Sequence, residues 1–157
     1  MKIKVLITAM VFMFSFIAVQ AQNSMFDKLS NHKDISTVFI SKSLLSMMPN
    51  KGADMMGGAD IKNLAGKLEQ LEIYNSESKE ASKLIRTEVE AMVKAKTYET
   101  LMSVKDKGDN VTFYAHKEKD RFKDLIMFVN EPNECTIIRI VGNFTAEDIQ
   151  GVMGGGK

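Results

Sequence analysis

The chain has 157 residues, 45% of them hydrophobic and 26% charged, with 21 basic against 20 acidic side chains. This ordinary globular composition excludes collagen-like, coiled-coil and wholly disordered chains, and the length fits one domain. The near-neutral balance removes the broad positive field that a nucleic-acid binder needs. One cysteine, Cys135, excludes an internal disulfide and an all-cysteine metal cluster, and two histidines, His32 and His116, leave little for a histidine-based metal site.

The chain opens with Lys2 and Lys4, then an uncharged apolar stretch from Val5 to Val19, then Val19-Gln20-Ala21. A short basic start, an apolar run and a small-residue end form a secretory signal peptide, with cleavage expected between Ala21 and Gln22. About fifteen apolar residues suit membrane entry but fall short of the roughly twenty that a stable span wants. Gln22 rather than a cysteine stands next to the cut, so a lipid anchor on a new N-terminal cysteine is excluded. Removal of residues 1–21 takes Lys2 and Lys4 away, so the basic count falls from 21 to 19 against 20 acids. No second long apolar stretch follows, so the domain at 22–157 is expected to be exported, without a membrane span, and to stand on its core rather than on disulfides.

Met25, Phe26 and Leu29 are spaced for one face of a short helix. Ile35 to Ile40 is rich in β-branched and aromatic residues and reads as a strand. Ser41 opens a short helix that Pro49 stops, and Asn50 to Gly58 is a glycine-containing loop. Asp60 is placed to cap a further helix through Ile61, Leu64, Ala65 and Leu68. Leu68 to Tyr74 reads as a strand, with Leu71 and Ile73 alternating against Glu72. Ser76 or Ser78 then starts the strongest helix, with Ala81, Leu84, Ile85, Val89, Met92 and Val93 on one face and Lys94 and Lys96 at its C-terminal end. Four strands follow, Tyr98 to Lys105, Asn110 to His116, Phe122 to Val129 and Glu134 to Val141, joined by short turns into an antiparallel meander. Thr145 and Asp148 form a capping-box pattern that opens a last helix through Ile149, Val152 and Met153. The expected fold is a two-layer α+β domain, an antiparallel-rich sheet of about six strands with its helices mainly on one face.

The N-terminal leader, the segment Ile35-Ser-Thr-Val-Phe-Ile-Ser-Lys, the stretch Leu64 to Ser76 and the run Ile138-Arg-Ile-Val-Gly-Asn-Phe-Thr-Ala-Glu-Asp-Ile resemble family 4252 of the domains of unknown function. The resemblance covers essentially the whole chain after the leader. It implies a small exported protein of Bacteroidota in a Gram-negative envelope, and it brings no catalytic residues to individual positions.

Candidate sites are few. Met47-Met48 and Met55-Met56 flank Pro-Asn-Lys-Gly-Ala-Asp, and soft thioethers in an exported protein are able to select Cu(I). Adjacent residues diverge on a helix or strand, so only a loop brings all four together, and methionine commonly serves packing or adaptable contact surfaces instead. Cys135 needs a neighbouring histidine or cation to act as a nucleophile, and His116 on another strand is the one candidate; a small buried hydrophobe is the commoner role. Thr112, Tyr114 and His116 alternate against Val111, Phe113 and Ala115, so Tyr114 and His116 are expected on the solvent side of the sheet as a binding surface, together with Met55 and Met56 on the loop. No cofactor motif is present. The leading reading is a non-enzymatic envelope module binding a protein, envelope component or small ligand; the alternative is a small exported enzyme or Cu(I)-handling protein.

Overall fold

The computed structural model describes residues 25–47 and 66–153. The leader, the loop expected at 50–58 and the helix expected after Asp60 as far as Ala65 lie outside the described residues; Met47 falls in a helix and Leu68, expected at the end of that later helix, begins a strand.

Helix α1 (25–30) leads into strand β1 (Ser36–Ser41), which passes directly into helix α2 (Lys42–Met47). Strand β2 (Leu68–Ser76) precedes the long helix α3 (Lys79–Lys94). Ser78 caps α3 by accepting a hydrogen bond from the Ala81 amide, which satisfies one of the amides a helix start leaves open. The meander follows as β3 (Glu99–Asp106), β4 (Asp109–Glu118), β5 (Arg121–Asn130) and β6 (Cys135–Phe144). Lys107 and Gly108 both have positive φ, as a two-residue hairpin turn matched to the strand twist requires. Helix α4 (Ala146–Met153) begins at the capping box read from the sequence: the Thr145 amide donates to Asp148 Oδ2 at 2.8 Å, and the Asp148 amide donates to Thr145 Oγ1 at 3.3 Å.

The six strands form one sheet in the order β1-β2-β6-β5-β4-β3, with every neighbour antiparallel. The local meander thus makes one half of the sheet, and β2, preceded by β1, docks on its last strand. Strands β2 and β3 are consecutive along the chain yet have three strands between them, and α3 makes that crossing.

Side chains alternate across the sheet, so register decides which residues share a face. On one face, Met25, Phe26 and Leu29 of α1 and Ala81, Ile85, Val89 and Met92 of α3 pack on Tyr74, Ile126, Phe128, Cys135 and Ile137. Each large side chain buried this way contributes roughly 1.5–3 kcal/mol. A smaller cluster joins Leu68, Ala115, Phe122, Phe144 and Ile149, with Leu45, Leu125 and Ile140 against it, so α2 and α4 each lend one residue to the other side. The result is the α+β fold expected, with a six-stranded antiparallel sheet and the longest helix laid along one face.

Candidate functional site

Three cross-strand rows under α1 and α3 run in register. Thr37, Tyr74 and Ile137 form one, Phe39, Glu72, Arg139 and Ile126 the next, and Gln70, Val141, Asp124 and His116 the third. Arg139 therefore stands directly across from Glu72 and diagonally across from Asp124. Its guanidinium holds both carboxylates: Nε donates to Asp124 Oδ2 at 2.8 Å, Nη2 lies 2.7 Å from the same oxygen, and Nη1 donates to Glu72 Oε2 at 3.1 Å. The Phe26 ring of α1 caps the guanidinium at 3.9 Å, so the cation is sandwiched between an aromatic face and the sheet.

Two tyrosines complete the network. Tyr74 donates to Glu72 Oε2 and Tyr98 donates to Asp124 Oδ2, each at 2.9 Å, and the Gln70 amide donates to Glu72 Oε1. Glu72 and Asp124 are both buried. Burial pushes the Asp124 carboxyl above its ordinary range despite the opposing pull of Arg139 and Tyr98. Burial pulls the Arg139 pKa down, but the two carboxylates outweigh it and the net shift is upward. The Tyr74 phenol is raised by burial and then by its bond to Glu72. Two carboxylates share one guanidinium, and among the described residues Asp124 Oδ1 is the buried side-chain oxygen without a hydrogen-bond partner.

The network forms the floor of a cleft of about 390 Å³ between α1 and the β1 edge. Phe26, Asp27 and Ser30 line it from α1, Thr37 and Phe39 from β1, and Gln70, Glu72, Tyr74, Arg139 and Val141 from the sheet. Because Arg139 is already matched by two carboxylates, the cleft is not an anion clamp. It offers aromatic walls, an amide and an acidic rim at Asp27, which suits a ligand with an apolar body and a hydrogen-bond donor or positive charge.

Of the residues singled out in the sequence, His116 borders the network, directly across from Asp124, and Cys135 does not. Cys135 is fully buried, burial raises its thiol pKa, and its Sγ lies 3.4 Å from Asn130 Oδ1. His116 pairs with Asp124 whereas Cys135 pairs with Asn130, six residues further along β5, about 20 Å away at the usual strand rise. The two do not meet. Thr112, Tyr114 and His116 were expected on the open side, but register places them on the face that α3 covers. Thr112 is buried and Tyr114 packs against the main core. His116 Nδ1 lies 2.7 Å from the Thr97 carbonyl oxygen, and its ring is 5.6 Å from that of Tyr98. The alternation in β4 misleads because both of its faces carry apolar area. Met47 is 75% exposed, whereas Met48, Met55 and Met56, like Ala21 and Gln22, lie outside the described residues. Among the described residues no group of three or more His, Cys, Asp or Glu side chains is arranged to hold a metal ion, and no helix is long and apolar enough to cross a membrane.

No local pattern announces the network. Leu71 and Ile73 alternate against Glu72, yet it is Glu72 that is buried while Leu71 and Ile73 are half-buried. The available signal was Arg139, flanked on both sides by apolar residues in β6, with the acidic Glu72 and Asp124 beside apolar residues in β2 and β5. No curated protein and no solved structure matches the chain. A family profile matches residues 26–152, nearly the whole of the described domain and its intervening segment, and the chain belongs to the family described as a domain of unknown function, DUF4252.

Proposed function

We propose that the protein is exported to the envelope of a Gram-negative bacterium of the Bacteroidota and acts there as a non-enzymatic binding module, its ligand seated in the cleft between α1 and β1. The observation that supports the reading is the cleft's construction. Its floor is a hydrogen-bonded network of six side chains in which two carboxylates share one guanidinium, while its aromatic and acidic rim is left facing outward. A catalytic site needs a nucleophile or base aimed at a reacting atom. Here, apart from the buried Asp124 Oδ1, the carboxylate oxygens of the floor bond to Arg139, Tyr74, Tyr98 and Gln70, and Cys135 stands apart. The leader with its Val19-Gln20-Ala21 end supports export.

The test has two parts. The protein recovered from the envelope fraction should begin at Gln22 by mass spectrometry, and retention of residues 1–21 there overturns export. Immobilised protein should retain an envelope component that the Ser30→Trp variant, its indole filling the cleft mouth, fails to retain. Equal retention by both proteins overturns the cleft as the binding site.

A further inference from the structure

We propose that β1 is an interface at which a second copy of this chain adds antiparallel, making one continuous twelve-stranded sheet about a two-fold axis through Val38. The sheet has two edges, β1 and β3. An edge strand presents unpaired amides and carbonyls that recruit another strand, and proteins that remain monomeric guard such edges with charges, bulges or prolines. Strand β3 is guarded: its register with β4 shifts between Thr100 and Met102, and Glu99, Lys105 and Asp106 place charge at both of its ends. Strand β1 is not. Its six residues, Ser-Thr-Val-Phe-Ile-Ser, carry no charge and pair with β2 without a register shift, while Val38 is 48% and Phe39 60% exposed.

Charge selects the occupant. In an antiparallel pair, residues directly opposite share a face of the sheet, so a strand pairing with its own copy must have its two-fold axis on a residue. With the axis on Val38, Thr37 faces the copy's Phe39 and Ser36 faces its Ile40. Asp34 in the turn before β1 and Lys42 at the start of α2 then flank the paired strands, so each end of the interface brings an acidic side chain of one copy beside a basic one of the other. Both flanking side chains are exposed. Parallel self-pairing would instead set Asp34 on Asp34 and Lys42 on Lys42. On the Val38 face, the row Val38, Ile73, Ile138, Met127, Phe113 and Met102 crosses all six strands, so the axis joins two apolar rows end to end. Val38 lies between the two β1 residues that line the cleft and therefore points to the opposite face, so this interface goes beyond the cleft reading and is tested apart from it.

The experiment is sedimentation velocity over rising concentrations of the protein purified after expression of its full-length sequence. A monomer–dimer equilibrium is expected at micromolar concentration. Val38→Lys, which sets two lysines against each other on the axis, should abolish the dimer. Asp34→Lys should weaken it about tenfold, because two exposed pairs become repulsive, and Lys42→Asp in the same chain should restore it. If Val38→Lys loses its native circular dichroism, the charge-exchange variants decide, since both side chains are exposed. A monomer at every concentration up to millimolar, a dimer indifferent to Val38→Lys, or no recovery in the double variant overturns the proposal. A monomer that still retains its envelope component overturns the dimer and leaves the cleft reading standing. Loss of retention in Ser30→Trp with the dimer intact does not touch the dimer, and unchanged retention in Ser30→Trp removes the cleft reading alone.

Discussion

One face of the sheet is buried in two different ways. Under α3, Ile85 and Val89 press on an apolar surface that includes Phe128 and Ile137, which face one another across β5 and β6. Two residues further along β6, under α1, the same face carries Arg139 with Glu72 and Asp124. In the apolar half each side chain contributes through area removed from water, and a lost methyl group is felt mainly where it was. In the charged half no member can leave alone, because the others are then buried without compensation. The charged half also reaches the cleft, since Phe26 of α1 rests on Arg139 and Phe39 of β1 stands across from Glu72.

The sharpest way to break this comparison is Arg139→Met. It leaves two buried carboxylates facing each other and should cost about 3–5 kcal/mol in chemical denaturation. Adding Glu72→Gln and Asp124→Asn to the same chain should recover most of that loss, because neutral amides need only hydrogen bonds. A loss below about 1 kcal/mol for the single variant would show that the network is not a buried ionic unit.

A smaller effect is expected from the apolar half. Ile137→Val, at a fully buried position, should cost about 0.5–1.5 kcal/mol by the same measurement. It should add to a change at Ile85 far more closely than Arg139→Met adds to a change at Glu72.

The smallest expected effect is in acid. Asp124 has a raised pKa in the folded protein, so its contribution is fully present below the ordinary carboxylate value and is lost as pH rises through the raised value. Asp148 is the reverse case: its bond to Lys67, followed by that to the Thr145 amide, lowers it to about 2, so its contribution is present above the ordinary value and disappears as pH falls toward 2. Denaturation midpoints followed from pH 6 to pH 2 should therefore fall more steeply in Asp124→Asn and less steeply in Asp148→Asn than in the unaltered protein. Identical slopes would remove the electrostatic account of both sites.

Local patterns carried most of the elements into view. The helical spacing from Ala81 to Met92, the Thr145–Asp148 cap and the tight turns of the meander are each written within a few residues. What was not legible depends on residues far apart. The pairing of β2 with β6 joins Tyr74 to Ile137, and no local pattern states it. The same pairing turns Glu72 inward toward Arg139, so the burial of β2 runs opposite to what its own alternation suggests. The cleft shares this origin, since its walls come from α1, β1, β2 and β6 and exist only once those segments meet.

The strand order also has a temporal consequence. Strands β3 to β6 are joined by short turns and are able to zip in sequence, whereas β2 closes against β6 across about sixty intervening residues or more. Closing so long a loop costs chain entropy before any contact offsets it, which slows folding in proteins rich in distant pairings. A chain emerging N-terminus first therefore has β1 and β2 with only each other to pair with, so the uncharged outer edge of β1 and the β6-facing edge of β2 both stay open until the last strand has appeared. The unguarded edge is thus exposed longest in the nascent chain, where premature strand pairing between copies is the hazard that folding must outrun.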